Sequence, residues 1–195
     1  TLLTLGRRAG VPLHIPEDAA GTCCGVPFAS KGYDAAHRWM LNETFRKLWR
    51  WSGEGRLPVV IDTSPCTQGL LGARPHLDPE NRVRFDRLRI QDAIAFAHDI
   101  LLPRLSVTKP LGAVVLHPVC SSVKLGLQGP LEAMARACAR EVVVPRDAGC
   151  CGFAGDRGFS HPELTASATG AEAAEVRDRA FDAHLSSSRT CELGL

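Results

Sequence analysis

The sequence predicts an α/β fold with a mostly parallel sheet and helices packed on it. Short apolar runs rich in β-branched residues lie at 11–15, 57–62, 113–116 and 141–144. A run that lacks polar alternation is typical of a strand buried on both faces, as in parallel sheets. Segments with helical periodicity separate these runs, and alternation of strands with helices is the pattern of an α/β protein.

Three helices follow from the spacing of apolar residues. They are predicted over 34–51, over about 92–103, and through Leu131, Met134, Ala135 and Cys138. Leu41, Phe45 and Leu48 illustrate the one-sided apolar stripe of such a helix. Pro103 would end the second helix. Cys138 lies on the apolar stripe of the third, so we expect it to be buried as packing.

The chain also contains one unit written twice. The triplet Cys23-Cys24-Gly25 recurs as Cys150-Cys151-Gly152, and Pro-x-Asp precedes both copies. By count, 41 residues separate Cys24 from Cys66, and 39 separate Cys151 from Cys191. Such recurrence predicts a duplicated supersecondary block. We therefore expect a first CCG repeat at 1–80, a connecting segment with a helix at 81–111, and a second CCG repeat at 112–195.

The first repeat has no counterpart of Cys120. If the offset between the repeats holds, that cysteine would lie roughly 7–9 residues before Thr1. The chain begins with Thr1 and has methionine only at Met40 and Met134. We therefore expect the first repeat to be truncated at its N-terminus.

Charge and hydropathy exclude two classes of function. The net charge is +2 and no Lys/Arg run is interleaved with aromatic residues, so nucleic acid is not an expected partner. No apolar run approaches the roughly 18 residues of a membrane span. Eight cysteines are too many for chance burial and too few for a small secreted disulfide scaffold. Metal or redox chemistry is therefore favoured.

Three chemistries of cysteine compete. Adjacent Cα atoms lie about 3.8 Å apart, below the usual disulfide range, so neither CC pair is expected to bond to itself. The thiols Cys120, Cys150, Cys151 and Cys191 suit either an iron–sulfur cluster or a four-cysteine zinc site. Adjacent ligands fit a cluster of several metal atoms better than one small ion. Thiol–disulfide exchange is the third alternative.

Other residues near the cysteines have roles that the sequence leaves open. Gly25 and Gly152 would let backbone amides approach the sulfurs, and Gly155 and Gly158 extend that glycine-rich loop. His117 stands three residues before Cys120, where it could bind the metal, hydrogen-bond a thiolate or cap the loop.

Longer motifs carry a resemblance to a known family. The segments VVIDTSPCTQGL, VVLHPVCSSVKLGL, GCCGFAGDRGFSHPELTASAT and SSSRTCELGL resemble the C-terminal part of bacterial FAD-linked D-lactate dehydrogenases. The paired CCG units are also similar to the cysteine-rich domains of heterodisulfide reductase B-type subunits and of iron–sulfur subunits of glycolate oxidase and anaerobic glycerol-3-phosphate dehydrogenase. Unlike the B-type reductases, the units here do not end in C-x-x-C.

This resemblance implies an electron-transfer role. The cysteines that match the family's cluster ligands are Cys23, Cys24, Cys66, Cys120, Cys150, Cys151 and Cys191. The resemblance also implies a 4Fe-4S cluster in this chain, with FAD and a ferredoxin-like domain in an upstream part of the protein. Electrons would pass to a respiratory acceptor, and the protein would be cytoplasmic or peripheral on the inner face of the membrane. A zinc-stabilised interaction module and a thiol–disulfide reductase remain the alternatives.

Overall fold

A computed structural model describes residues 1–195 and divides the chain into two compact units. Unit 1 comprises Thr1–Phe96 and unit 2 comprises Ala97–Leu195. The division falls inside the predicted connecting segment, 81–111. Each unit has its own small parallel sheet covered by helices. The α/β fold class is therefore confirmed.

The elements of unit 1 alternate between helix and strand over most of their length. They are α1 (Leu2–Arg8), α2 (Val26–Ala29), α3 (Asp34–Trp51), β1 (Val59–Ile61), α4 (Ser64–Leu71), α5 (Pro79–Arg87), β2 (Ile90–Asp92) and α6 (Ala93–Phe96). Short 3₁₀ turns occupy Glu17–Ala19 and Arg74–His76. None of the chain's helices combines the length and the hydrophobicity of a membrane span.

Unit 2 opens with a π-helical turn, Ala97–Leu101, and a 3₁₀ turn, Leu102–Arg104. Its elements are β3 (Leu111–His117), α7 (Cys120–Lys124), α8 (Gln128–Cys138), β4 (Ala139–Val143), α9 (Arg157–Ser160), α10 (Pro162–Val176), β5 (Ala183–Ser186) and α11 (Arg189–Gly194).

The core of unit 1 lies on the apolar stripe of α3. Leu41 and Phe45 are completely buried, and Leu48 is nearly so. They pack with residues that include Leu70 of α4 and Leu77. Beside them β1 and β2 run parallel, with Val59 opposite Ile90. The helix predicted over 34–51 is confirmed with the same bounds.

The sheet of unit 2 has the strand order β4-β3-β5, and both pairings are parallel. The central strand β3 buries Val114, Val115 and Leu116. The helix α8 lies on the connection from β3 to β4, and α10 lies on the connection from β4 to β5. Because all three strands are parallel, their carboxyl ends meet at one edge of the sheet. That edge is the place where a ligand site is expected.

Three of the four predicted strands are confirmed, namely those at 57–62, 113–116 and 141–144. The prediction at 11–15 is wrong, since this segment is irregular and Ile15 is 61% exposed. Pro12 lies within the run and Pro16 follows it, and neither can donate a backbone hydrogen bond to a neighbouring strand. Apolar residues alone therefore did not make a strand here.

Two further predictions need correction. The segment predicted as one helix over 92–103 starts as the end of β2, and it continues as α6 and the π-helical turn. Asp92 pairs with Ile61 of β1, and Ile94 and Leu101 of the following turns are buried. Cys138 is exposed, whereas the sequence predicted it to be buried. The helix α8 buries the face that carries Leu131 and Ala135. Cys138 is the last residue of this helix, immediately before β4.

A buried hydrogen bond links α4 to β2 and gives a first prediction. Thr67 Oγ1 donates to Asp92 Oδ2 at 2.7 Å, and both residues are buried. We expect Thr67→Val to lower the free energy of unfolding by about 1.5–3 kcal/mol, because the buried carboxylate loses a donor. Urea denaturation measures the change. Thr4→Val, at an exposed position, serves as the control and is expected to stay within about 0.5 kcal/mol; equal losses in the two variants would contradict the prediction.

Candidate metal centre

The first thiol group, which we define as Cys23, Cys24 and Cys66, lies in unit 1. Cys24 is buried in the core beside Val26, and Cys66 is half-buried. Cys66 is the third residue of α4, the helix that follows β1. The thiol of Cys24 hydrogen-bonds the sulfur of Cys66, so the structure brings together cysteines from two distant parts of the chain.

The contact between Cys24 and Cys66 makes the two thiols unequal. A hydrogen bond from Cys24, assisted by the Thr63 hydroxyl, lowers the pKa of Cys66 to about 6 against the opposing effect of burial. The same contact and burial raise the pKa of Cys24. One sulfur of the pair is therefore prepared to be a thiolate, which is the form that binds metals and attacks electrophiles.

Backbone amides point at the other sulfurs of this group. The amide of Gly25 donates to Cys23 Sγ at 3.4 Å, and the amide of Val26 hydrogen-bonds Cys24. Gly25 has a φ of +80° and caps α2, and a Cβ on it would lie 2.8 Å from Cδ2 of His37. Glycine is therefore required for this turn on two counts, conformation and space.

The second thiol group, which we define as Cys120, Cys150, Cys151 and Cys191, lies in unit 2. Cys120 is the first residue of α7, after β3, and the CCG pair lies in the loop after β4. Cys191 is the third residue of α11, after β5. The buried sulfurs Cys151 and Cys191 share a small core with Val119 and Phe153, whereas Cys120 and Cys150 are exposed.

Electrostatics show that the four thiols of the second group lie near one another. Burial raises the pKa of Cys191 to about 12, reinforced by a hydrogen bond to Cys151 and by repulsion from Cys120. Burial also raises the pKa of Cys120, with further contributions from Cys150 and Cys151. The sulfurs thus form two contacts, Cys120 with Cys150 and Cys151 with Cys191. Between the two pairs, charge on Cys120 acts on the Cys191 thiol, and charge on Cys151 acts on the Cys120 thiol.

Cys120 and Cys191, whose pKa values are raised, are costly to ionise without a cation. Four adjacent thiolates repel one another and lose solvation on burial, whereas bound metal ions would reverse both effects. No three His, Cys, Asp or Glu side chains surround one point closely enough to hold a single metal ion. The donor set itself, four sulfurs from three loops, fits a soft thiolate-bound metal or cluster.

The two repeats use the same local structure for their last cysteine. In each, the cysteine comes five residues after the end of a strand, Cys66 after Ile61 and Cys191 after Ser186. The capping residues before the two helices have nearly equal backbone angles: Thr63 has φ −135° and ψ 124°, and Ser188 has φ −137° and ψ 128°. The two units therefore share the turn and the helix start that carry their last cysteine.

These caps also contact the sulfurs directly. The Thr63 hydroxyl hydrogen-bonds Cys66, and the Ser188 hydroxyl hydrogen-bonds Cys191; each lowers the pKa of its thiol. Neither hydroxyl was singled out from the sequence. The signal that could have found them is a Ser or Thr three residues before the last cysteine of both repeats.

The position of the cysteines relative to strands differs from expectation at two places. No strand was predicted shortly before Cys191, yet it follows β5. The strand predicted at 11–15, ahead of Cys23 and Cys24, is absent, because that segment is irregular. The predicted ligands otherwise gather in the two groups that the repeat implied.

The glycine-rich loop of unit 2 is packed closely against its neighbours. Gly152 has a φ of +69°, and a Cβ on it would lie 2.8 Å from the carbonyl oxygen of Leu164 in α10. At Gly158 a Cβ would come within 2.3 Å of the ring of Phe153. Gly155 also has a positive φ, +78°, but has open space around it. The loop that carries the CCG pair is thus held against α10.

His117 does not use its ring to contact a cysteine. It is buried at the end of β3, and its Nδ1 lies 2.9 Å from both carboxylate oxygens of Glu172 in α10. Its Nε2 is buried and has no hydrogen-bond partner. Glu172 lies 55 residues further along the chain, so no local pattern in the sequence indicates this pair.

The unequal thiols of unit 1 lead to a second prediction. In reduced, metal-free protein, we expect iodoacetamide to modify Cys66 faster than Cys24 at pH 7, with half-maximal rate near pH 6, because a lowered pKa keeps the thiolate present down to that pH. Cys24→Ala removes the hydrogen-bond donor, so the pKa of Cys66 should rise and its rate at pH 7 should fall. Peptide mass spectrometry measures both rates; an unchanged rate in Cys24→Ala would contradict the assignment.

Comparison with known proteins gives one family match. Residues 114–195 match the family model of the CCG cysteine-rich domain. The match spans the second thiol group in full, from β3 to the end of the chain. Neither the curated proteins nor the solved structures give a match.

Proposed function

We propose that this chain is the iron–sulfur electron-transfer part of a larger oxidoreductase. Its residues 114–195 carry a CCG cysteine-rich domain, which is typical of iron–sulfur oxidoreductase subunits. The observation that carries the proposal is the second thiol group: four sulfurs from three loops gather at the carboxyl edge of one parallel sheet. Ligand sites in open α/β sheets lie at that edge.

The four cysteines divide into two that anchor and two that face outward. Cys151 and Cys191 are buried beside Phe153 and would hold a cluster against the core. Cys120 and Cys150 are exposed and would leave it open on one side to a redox partner. A bound 4Fe-4S cluster would supply single-electron storage and transfer. The Ser188 hydroxyl, which hydrogen-bonds Cys191, would stabilise negative charge on the sulfur and so raise the reduction potential.

The first thiol group would act as a second, incomplete ligand set. It offers three sulfurs, with hydrogen bonds from two backbone amides and from Thr63. The missing fourth ligand is proposed to precede Thr1, as the repeat offset implies. Each group belongs to its own unit, so each ligand set can be tested separately.

The more specific proposal is a role in FAD-linked oxidation of D-lactate or a related 2-hydroxy acid. It rests on the resemblance of the four long cysteine motifs to the C-terminal part of those dehydrogenases. FAD and a ferredoxin-like domain would then lie upstream in the same protein, and a respiratory acceptor would receive the electrons. The protein would act in the cytoplasm or on the inner face of the membrane.

Thiol–disulfide reduction is a second candidate, because one observation favours it. The lowered pKa of Cys66, next to the thiol of Cys24, is the arrangement expected of a nucleophilic thiol with a resolving partner. A zinc-stabilised interaction module is the third candidate, since four cysteines also bind zinc.

Metal analysis separates these candidates. Protein purified without oxygen or added metal is assayed for iron, acid-labile sulfide and zinc per chain, and its absorbance is recorded between 300 and 500 nm. Iron and sulfide in near-equal amounts are expected. Stoichiometric zinc with neither iron nor sulfide would overturn the proposal in favour of the structural module. Turnover of a disulfide substrate by metal-free protein, lost in Cys66→Ser, would favour the reductase.

A further inference from the structure

Unit 2 contains a cavity of about 410 Å³ whose lining includes no residue of the second thiol group. It lies between the end of the β3–β5 pair and the helices α10 and α11. Its apolar wall includes Val115, Val176, Leu185 and Leu195. No cysteine lines it. A concave site with apolar walls and a few polar groups is the usual form of a small-molecule pocket.

Two buried polar atoms without hydrogen-bond partners belong to residues that line this cavity. They are Nε2 of His117 and Oγ of Ser186. His117 is the last residue of β3 and Ser186 is the last residue of β5. The two residues are opposite each other in the parallel pairing of these strands. Side chains of register partners project from the same face of a sheet. The two orphan atoms therefore belong to neighbouring side chains at one end of the cavity.

Unpartnered buried polar atoms are rare because each costs free energy. Such an atom costs about 1–3 kcal/mol relative to a hydrogen-bonded one. Two of them on adjacent strands, beside a cavity, point to a ligand atom that satisfies both. The other ring nitrogen of His117, Nδ1, is held by Glu172. The imidazole therefore cannot turn to bring Nε2 to a different partner.

The charges around the cavity favour an uncharged ligand. The one buried carboxylate on the wall, Glu172, is already engaged by His117. Glu192 is paired with Arg189, and Arg177 and His184 are exposed at the rim. No unpaired buried charge is left to compensate a charged ligand, and burying one would be costly.

We propose that this cavity binds a small, uncharged molecule with an apolar body and a hydroxyl group at one end. The hydroxyl would lie between His117 Nε2 and Ser186 Oγ. A hydroxyl both donates and accepts, so it pairs with the imidazole nitrogen in either protonation state and with the serine at the same time. The apolar body would contact Val115, Val176 and Leu195. This assignment does not depend on the proposed iron–sulfur function.

Phenol and benzene form a matched pair of probes, because they share the ring and differ in the hydroxyl. Side-chain ¹⁵N NMR of the full chain follows Nε2 of His117 during titration with each. We expect phenol to bind saturably and shift Nε2, and benzene to bind more weakly. Equal affinity for the two probes, or no saturable shift with phenol, would overturn the proposal.

Two variants locate the binding. Ser186→Ala removes one hydrogen bond and should weaken phenol binding about 2–10-fold while leaving benzene unaffected. Ala173→Phe places a ring in the cavity from α10 and should abolish binding of both probes. Ala174→Phe, also exposed on α10 but outside the cavity lining, is the matched control and should bind phenol as the wild type does. Phenol binding that survives Ala173→Phe would place the probe elsewhere and overturn the proposal.

Discussion

Cys151→Ser is expected to remove the iron and sulfide held by the second thiol group. Cys151 is buried and contacts Cys191, so its sulfur cannot be replaced by a neighbouring residue or by water without disturbing the core around Phe153. A serine oxygen is a harder and much less acidic ligand than a thiolate. At least half of the iron per chain should be lost, together with absorbance between 300 and 500 nm.

The double variant Cys66→Ser, Cys151→Ser tests whether the iron that remains in Cys151→Ser is held by the first thiol group. If the first thiol group holds iron, that iron should be lost too, and the content should fall below about a tenth of the wild-type value, since even outer-shell changes cost 10–100-fold in affinity. Cys138→Ser is the control, because Cys138 is exposed at the end of α8 and belongs to neither group. Retention of full iron in Cys151→Ser, or its loss in Cys138→Ser, would contradict the assigned ligands.

Gly152→Ala is expected to destabilise unit 2 strongly. The residue has a φ of +69°, and the added Cβ would lie 2.8 Å from the carbonyl oxygen of Leu164 and 2.9 Å from Cβ of Ala168. Both atoms belong to α10, so a helix must move to make room. The left-handed backbone and the overpacking together should lower the free energy of unfolding by about 2–5 kcal/mol.

Gly155→Ala separates backbone strain from crowding. Gly155 lies in the same loop with a φ of +78°, but a Cβ added to it would have no other atom within 4 Å. Its substitution should therefore cost only the conformational part, about 1–2 kcal/mol. Thermal and urea denaturation of both variants provide the comparison. Equal costs would show that crowding against α10 contributes nothing.

Long, strongly patterned elements were predictable from the sequence. The helix α3 was predicted with its bounds because Leu41, Phe45 and Leu48 repeat on one face and bury together. The cysteine groups were predictable because the repeat shows which cysteines correspond. These signals are local or periodic, and tertiary packing reinforced them.

Short pairings were not predictable. The strands β2 and β5 contain only Ile-Gln-Asp and Ala-His-Leu-Ser, which carry no strand pattern of their own. They are strands because β1 and β3 supply parallel partners. The same limit applies to the pairing of His117 with Glu172, since a contact across 55 residues depends on where α10 packs.

The position of β5 in the sheet has a consequence for how the protein is made. The central strand β3 pairs with β4, which follows soon after it, and with β5, which is synthesised about 66 residues later. Contacts between distant segments form slowly. Cys191 reaches the other three sulfurs only after β5 has joined the sheet, so the second thiol group is completed last during biosynthesis. Until then Cys151 lacks the partner beside which it is buried in the finished fold, and the speed of that final strand pairing sets how long Cys151 stays open to oxidants and to non-specific metals.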